Sequence, residues 1–201
     1  MLLPRTFIAY LAREVARRLS QGSIQTSNDS AVRDAFEEVL IDELSLEDEI
    51  NAEARELLNQ YTDYIRQERI PYQEMFWKVK RNILAERKAV SAQPRGEKEG
   101  MKISRDKVIE LSHKLAGKLP RVSGVRVKKP WNEIRLQILR EIRDILTKEE
   151  TIDQIAQEKI RNQKRDIPEG SEEWIVLFRR YYEEEMKRYG IDLTPASATP
   201  V

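Results

Sequence analysis

The chain repeats itself: its two halves, residues 1–100 and 101–201, begin alike and keep a common pattern. The first half opens with MLLPRTFIAYLAREVARRL and the second with MKISRDKVIELSHKLAGKL. Identical residues recur at an offset of 100 near the start of each half, as Leu11 and Leu111 do. Farther on they recur at an offset of 102, as Glu47 and Glu149 do. A repeat of this length predicts two structural units of one kind that arose by tandem duplication.

Both repeats have the apolar spacing of amphipathic helices. Phe7, Leu11 and Val15 recur every four residues, and the second half repeats this spacing. Ser45 and Thr147, which are aligned, each precede an acidic residue by three positions, a pattern typical of a helical capping box. The pattern predicts that a helix ends before each of them and that another begins there, so that each repeat contains four helices.

The predicted fold is therefore all-α, with two tandem four-helix units of similar topology joined by a short flexible linker. We assign residues 1–90 to the first helical repeat, 91–100 to the linker, 101–190 to the second repeat and 191–201 to a flexible tail. Val125–Val127 has the composition of a short extended segment, but one such segment cannot form a sheet.

Composition narrows the class of protein. Charged residues make up 35% of the chain and apolar ones 40%, which leaves enough apolar residues for two small cores. Because the chain contains no cysteine, disulfides, cysteine-ligated zinc, thiolate nucleophiles and iron–sulfur clusters are excluded. No apolar run approaches 18 residues and no signal-peptide pattern opens the chain, so we expect a cytoplasmic protein that does not enter a membrane.

Charge is distributed unevenly, although its net value is only +1. Residues 37–56 contain nine acidic side chains and one arginine, whereas residues 111–132 contain six lysines or arginines and no acid. Such a cluster of cations attracts phosphates, and a tryptophan beside it can stack on a base. The candidate phosphate or nucleic-acid contacts are Lys114, Lys118, Arg121, Arg126, Lys128, Lys129 and Trp131.

Other interpretations of the same segment stay open. The cations can be simply solvated, with Trp131 anchoring the second helix in the core. Alternatively, the basic segment can pair with acidic residues 37–56, either within one molecule or between two molecules. The acidic residues, in turn, can form an ordinary solvated helix face.

Groups that could perform catalysis or bind metal are few. Glu110 and His113 have the Glu-x-x-His spacing of di-iron bundles, but such sites need two of these pairs, and this chain has one histidine. Residues 181–185 place two tyrosines beside three glutamates, although consecutive glutamates on a helix point in different directions. Phosphate-binding loops, dinucleotide fingerprints and nucleophile elbows are absent from the sequence. We therefore predict no catalytic, metal-binding or cofactor-binding residues, no cofactor and no enzymatic activity.

The second repeat carries a family resemblance. Its segment KIRNQKRDIPEGSEEWIVLFRRYYEEEMKRYG, residues 159–190, and its opening MKISRDKVIELSHKL resemble the bacterial domain-of-unknown-function family 507. The resemblance covers residues 101–190. The first repeat matches in layout but has ERIPYQ where the second has IPEGSE. The resemblance implies a short helical protein of bacterial origin, and it implies no activity or binding residues.

These observations favour a non-catalytic interaction or scaffold module. Its partners are unknown from sequence, with a protein partner or self-association expected and nucleic acid possible. The alternative function is nucleic-acid or ribosome binding through the basic segment 114–129. If single-copy relatives dimerise, the tandem chain is a covalent pseudo-dimer, because linkage replaces association with a high effective concentration.

Overall fold

The computed structural model describes residues 3–61, 71–93, 102–163, 165 and 167–193, and within them it is mostly helical. In the first half, helices α1, α2 and α3 span Arg5–Ser20, Asp29–Gln60 and Tyr72–Glu86. In the second half, α4, α5 and α6 span Arg105–Lys118, Trp131–Arg161 and Glu172–Arg188. Strands β1 and β2 span Ile24–Thr26 and Val125–Val127, and a short 3-10 turn covers Leu119–Arg121.

The second helix of each half is continuous, so the predicted helix breaks before Ser45 and Thr147 are wrong. Helix α2 runs through Ser45 and α5 runs through Thr147. The buried stripe of each long helix continues past these positions, so that burial favours one helix over two. The Ser45 hydroxyl donates to the carbonyl oxygen of Asp42 at 3.2 Å, as hydroxyls do inside helices, and does not cap a helix N-terminus.

A two-stranded antiparallel ribbon joins the two halves. Ile24 lies opposite Val127, and Gln25 lies opposite Arg126 at the centre of the pairing. The Lys128 amide donates to the Ser23 carbonyl oxygen at 2.9 Å and extends the contact. The prediction that Val125–Val127 pairs with no other strand is therefore wrong. Its partner lies a hundred residues away, in a segment whose polar composition is that of a loop.

One hydrophobic core contains residues from both halves, where the sequence indicated two separate small cores. Helices α1 and α2 pack together, as do α4 and α5, and α1 also contacts α5 while α2 contacts α4. Buried positions of the two halves coincide at the offsets found in the sequence. These aligned and fully buried pairs include Leu3 with Ile103, Leu11 with Leu111, Val15 with Leu115, Phe36 with Ile138 and Leu40 with Ile142.

The end of each half crosses to the first helix of the other. Ser91 accepts a hydrogen bond from the Ser104 hydroxyl through its carbonyl oxygen, at 2.6 Å, just before α4. Reciprocally, the Arg13 guanidinium on α1 donates to the Asp192 carbonyl oxygen at 2.6 Å. Residues 91–93 of the predicted linker and 191–193 of the predicted tail therefore make defined contacts. The remaining parts of both predicted segments, residues 94–100 and 194–201, lie outside the described residues.

Helices α3 and α6 each pack along the distal part of a long helix, α3 on α2 and α6 on α5. A small second cluster of Ile50, Ala54 and Ile83 forms the contact in the first half. Helix α6 begins after Ser171, whose hydroxyl oxygen accepts from the Trp174 amide, and it ends before Gly190 at φ +70°. Within the ranges given above, no helix is long and apolar enough to cross a membrane.

Candidate functional site

The basic segment occupies the connection from α4 through β2 to the start of α5. Two of its predicted phosphate contacts, both on α4, instead face acidic residues. The Lys114 amine lies 2.6 Å from the Glu43 carboxylate and 2.9 Å from that of Glu110. The Lys118 amine lies 2.8 Å from the Glu38 carboxylate. The pairing between the acidic and basic segments is thus intramolecular, one of the alternatives that the sequence left open.

A buried lysine completes this contact between the halves. Lys107 is 1% exposed, and its amine lies 2.9 Å from the Glu43 carboxylate and 2.8 Å from that of Glu110. Burial alone would raise the pKa of Glu43, but hydrogen bonds from Lys114 and Lys107 outweigh it and lower that pKa. Lys107 was missed in the sequence, although it aligns with Phe7 and so places a charge in an apolar stripe.

Four cations of the segment stay exposed. Arg121, Arg126, Lys128 and Lys129 are solvent-exposed, and none forms an ion pair with any residue that the structure describes. Arg126 lies on the ribbon opposite Gln25, which is also exposed. These four side chains are therefore available to an anionic partner.

Trp131 does not anchor α5 in the core. It is the first residue of α5 and is 48% exposed. Its ring centroid lies 5.4 Å from that of His113 on α4, with the planes inclined at 46°. One turn beyond His113, Gly117 has no atom within 4 Å of the point where a Cβ would stand. The aromatic pair therefore forms an exposed surface at the end of the segment that carries the four exposed cations.

A second kind of site lies inside the first half, where α2 meets α3. Glu47 is 2% exposed and accepts a hydrogen bond from the amine of Lys80, which is 1% exposed. The other Glu47 oxygen accepts from the Ala92 amide at 2.8 Å. The Lys80 amine also donates to Gln93 and lies 5.1 Å from the centre of the Trp77 ring. This carboxylate thus attaches both α3 and the segment after it to the long helix.

The equivalent position of the second half also holds a buried carboxylate. Glu149 is fully buried, lies 2.6 Å from the Lys102 amine and accepts from the Tyr182 hydroxyl at 2.8 Å. The Lys102 amine also lies 2.6 Å from Asp153. Burial raises the pKa of Glu149, although Lys102 and Tyr182 oppose the shift. Tyr182 aligns with Lys80 at the offset of 102, so different side chains occupy one place against the two glutamates.

The sequence carried a signal for these two glutamates that the capping interpretation obscured. Glu47 follows Leu44 by three residues and precedes Ile50 by three, so it lies within the apolar stripe of α2. Glu149 has the same placement on α5. An acid repeated within an apolar stripe indicates a buried and partnered carboxylate.

The tyrosine–glutamate run of α6 is used in packing and in ion pairs. Glu185 is 1% exposed and lies 2.6 Å from the Lys159 amine, whose hydrogen bond lowers the pKa of that carboxyl. The Tyr181 hydroxyl accepts from Gln163 at 2.8 Å. Phe178 stacks on Trp174 at 4.9 Å and packs against the core. These contacts hold α6 against α5.

The Glu110–His113 pair is divided between two unrelated contacts. The two Glu110 oxygens face Lys107 and Lys114, while the His113 ring packs on Trp131. Among the described residues, no three His, Cys, Asp or Glu side chains group so that they could hold a metal ion.

Taken together, the fold and these contacts define a mostly helical protein whose halves share a core and whose buried charges join helices. The chain belongs to the family of proteins of unknown function DUF507, whose family model matches residues 1–191. The match runs through both halves, whereas the resemblance in the sequence covered residues 101–190. No curated protein matches the chain.

Proposed function

We propose that this protein is a non-catalytic interaction or scaffold module, built by tandem duplication as a covalent pseudo-dimer. The observation that carries the proposal is the reciprocal packing of the halves around one core, together with the pairing of β1 with β2. An antiparallel strand pair and crossed terminal segments are what a two-fold dimer of one repeat would form. We further propose that it acts in the cytoplasm of a bacterium.

The use of the ionisable groups supports a binding role over a catalytic one. Catalytic acids and bases need access to a substrate. Here Glu47, Glu149 and Glu185 are each buried against a lysine that comes from another part of the chain. Their contacts attach helices to one another, which accounts for their burial without a reaction.

The duplication is tested by expressing residues 101–201 alone. In the pseudo-dimer, α4 and α5 cover their apolar faces with α2 and α1 of the first half. We therefore expect the isolated half to dimerise through those faces or to fail to fold, as measured by light scattering and thermal melting. A stable monomer with the melting temperature of the full chain would contradict the proposal.

The interaction role is tested by capture from the native cell, with the full chain immobilised and both protein and nucleic acid measured. A protein retained in stoichiometric amount after nuclease treatment is the expected result. Capture that nuclease abolishes would favour the second candidate function below. Retention of nothing beyond a control resin would contradict an interaction role.

The second candidate function is nucleic-acid or ribosome binding through the basic segment. A specific observation favours it: Arg121, Arg126, Lys128 and Lys129 are exposed and have no ion-pair partner among the described residues. Of the predicted contact set, Lys114 and Lys118 pair with Glu43 and Glu38. The remaining cations can each neutralise a phosphate.

Salt-dependent gel shifts test this second function. The double variant Lys128→Gln/Lys129→Gln should weaken binding to any sequence and flatten its dependence on salt. A matched control is Lys148→Gln/Lys187→Gln, which removes two exposed charges that lie outside the basic segment. Absence of RNA and DNA binding by the native chain at low salt would remove this candidate.

A further inference from the structure

We propose that Trp131 and His113 form a stacking platform for a base of single-stranded nucleic acid, whose phosphates are contacted by Arg126, Lys128 and Lys129. The inference rests on the second candidate function and adds the class of nucleic acid and the mode of recognition. The aromatic pair is exposed, it closely follows cations that have no ion-pair partner among the described residues, and it occurs in one half of the molecule alone.

The aromatic pair is exposed and is held by rigid elements. Trp131 begins α5 directly after Pro130, and its ring lies 5.4 Å from that of His113 on α4. The chain just before it is fixed to the other half, because the Lys128 amide donates to the Ser23 carbonyl oxygen at 2.9 Å. A tryptophan that is 48% exposed in so constrained a segment offers a preformed apolar surface to a ligand.

The cations lie on the same connection as the aromatic pair. Lys128 and Lys129 precede Trp131 by three and two residues, and Arg126 lies on the adjoining strand. No acidic residue occurs between positions 111 and 132. The acid that follows, Glu133, lines a shallow pocket together with Lys129 and Arg140, which places two cations beside one carboxylate. The field around Trp131 therefore favours phosphates.

The equivalent place in the first half has different chemistry. Arg13 aligns with His113 and Asp29 with Trp131, and there the side chains line an open pocket together with Arg17 and Arg33. Asp29 puts a negative charge where the second half has an indole. The aromatic surface is thus a property of the second half alone, and packing of the repeat does not require it.

A single strand fits this surface better than a duplex does. Bases within a duplex are already stacked on both faces, whereas an unpaired base can place one face on an aromatic ring. Stacking of this kind tolerates any base, so the platform should bind without strong sequence preference. Phosphate contacts alone would not distinguish the two forms in this way.

The test uses the full-length chain and fluorescence polarisation with three labelled probes at low salt: oligouridine RNA, oligothymidine DNA and a DNA duplex of equal length. We expect the native chain to bind the single strands more tightly than the duplex. Trp131→Ala should weaken single-strand binding by roughly tenfold and leave duplex binding nearly unchanged. Trp131→Phe, which keeps an aromatic face, should retain most of the single-strand affinity.

The charge variant distinguishes loss of base stacking from loss of nucleic-acid binding as a whole. Lys128→Gln/Lys129→Gln should weaken both probe classes, whereas Lys148→Gln/Lys187→Gln should weaken neither. If the native chain binds duplex and single strands equally and Trp131→Ala has no effect, the platform is overturned while the second candidate function stands. If the native chain binds no probe, both are overturned. Equal melting temperatures of the Trp131 variants and the native chain will show that the fold is retained.

A direct measurement of stacking is also available. The chain has three tryptophans, so a Trp77→Phe/Trp174→Phe background leaves Trp131 as the only indole. Stacking of a base on this ring should quench its emission as oligouridine is added, and the duplex should produce little quenching. Equal quenching by both probes, or none by the single strand, would contradict the proposed contact.

Discussion

Glu47 and Glu149 occupy equivalent points on the two long helices, and each buries its carboxylate against a lysine amine. The lysines come from different places, because Lys80 lies on α3 whereas Lys102 precedes α4. In the second half, Tyr182 stands where Lys80 stands in the first and donates to Glu149. The two halves therefore hold α3 and α6 by equivalent acids with different partners.

The buried pair of the first half should be costly to break. Lys80→Met keeps most of the side-chain volume but leaves Glu47 buried without its cation, so we expect a loss of about 3 kcal/mol in the free energy of unfolding. Lys78→Met on the same helix removes an exposed pair with Glu74 and should cost far less, because solvent screens that pair. Urea unfolding measures both. Equal effects of the two substitutions would show that the Glu47 pair does not hold α3.

The continuity of α5 predicts the effect of a proline. If a helix began at Thr147, then Lys148 would be its first helical residue, where proline is well tolerated. Because α5 continues through this point, Lys148→Pro should cost about 3 kcal/mol or more. Lys148→Ala at the same exposed site should change stability by less than about 0.5 kcal/mol. If Lys148→Pro were as stable as Lys148→Ala, the result would support the predicted helix break before Thr147.

Acid should weaken the contact between the halves at Glu43. The folded pKa of Glu43 lies below its ordinary value of 4.5, because hydrogen bonds from Lys107 and Lys114 outweigh its burial. Its contribution to stability is therefore fully present above about pH 4.5 and is lost as the pH falls through the lowered pKa. Glu149 has a raised pKa, so its contribution to stability changes with pH in the opposite direction. The effect of Glu43 is therefore isolated by comparison with a Glu43 variant.

The test compares the melting temperatures of the native chain and of Glu43→Gln across pH. The native chain should melt at a higher temperature at pH 7, and the difference should shrink as the pH falls below 4.5. A difference that stays constant down to pH 3 would mean that the charge of Glu43 contributes nothing to the contact.

Two glycines should respond oppositely to alanine. Gly124 precedes β2 at φ +77°, and an added Cβ would lie 2.6 Å from the Ser27 hydroxyl oxygen of the other half. Gly124→Ala should therefore destabilise the protein by about 1–3 kcal/mol. Gly117 lies within α4 with open space around it, so Gly117→Ala should stabilise by about 0.5–1 kcal/mol. Urea unfolding of both variants tests the ribbon geometry, and a neutral Gly124→Ala would contradict it.

Local pattern was sufficient to predict the helical class and the buried helix faces. The aligned apolar stripes predicted the buried faces, because an amphipathic helix buries its apolar side. The break at Ser45 was predicted wrongly from equally local chemistry. There Glu47, the neighbour of the capping-box acid Asp48, makes a tertiary contact with Lys80, which lies 33 residues farther along the chain.

The candidate site was predictable only in part, for a similar reason. Composition located the cations, but their availability depends on what the other half places opposite them. Lys118 pairs with Glu38 across 80 residues, whereas Lys128 faces solvent, and nothing in either local sequence distinguishes the two lysines. The pairing of β1 with β2 was likewise hidden, because each strand has only three residues and its partner lies in the other half.

The central claim is that the two halves fold as one unit around a shared core. Two variants that each retain one tryptophan test it most directly. Trp131→Phe/Trp174→Phe reports from Trp77 in the first half, and Trp77→Phe/Trp131→Phe reports from Trp174 in the second. In urea, fluorescence and far-ultraviolet circular dichroism should coincide in both variants as one cooperative transition. A tryptophan curve that separates from the circular dichroism curve would show that the halves unfold independently and would contradict the shared core.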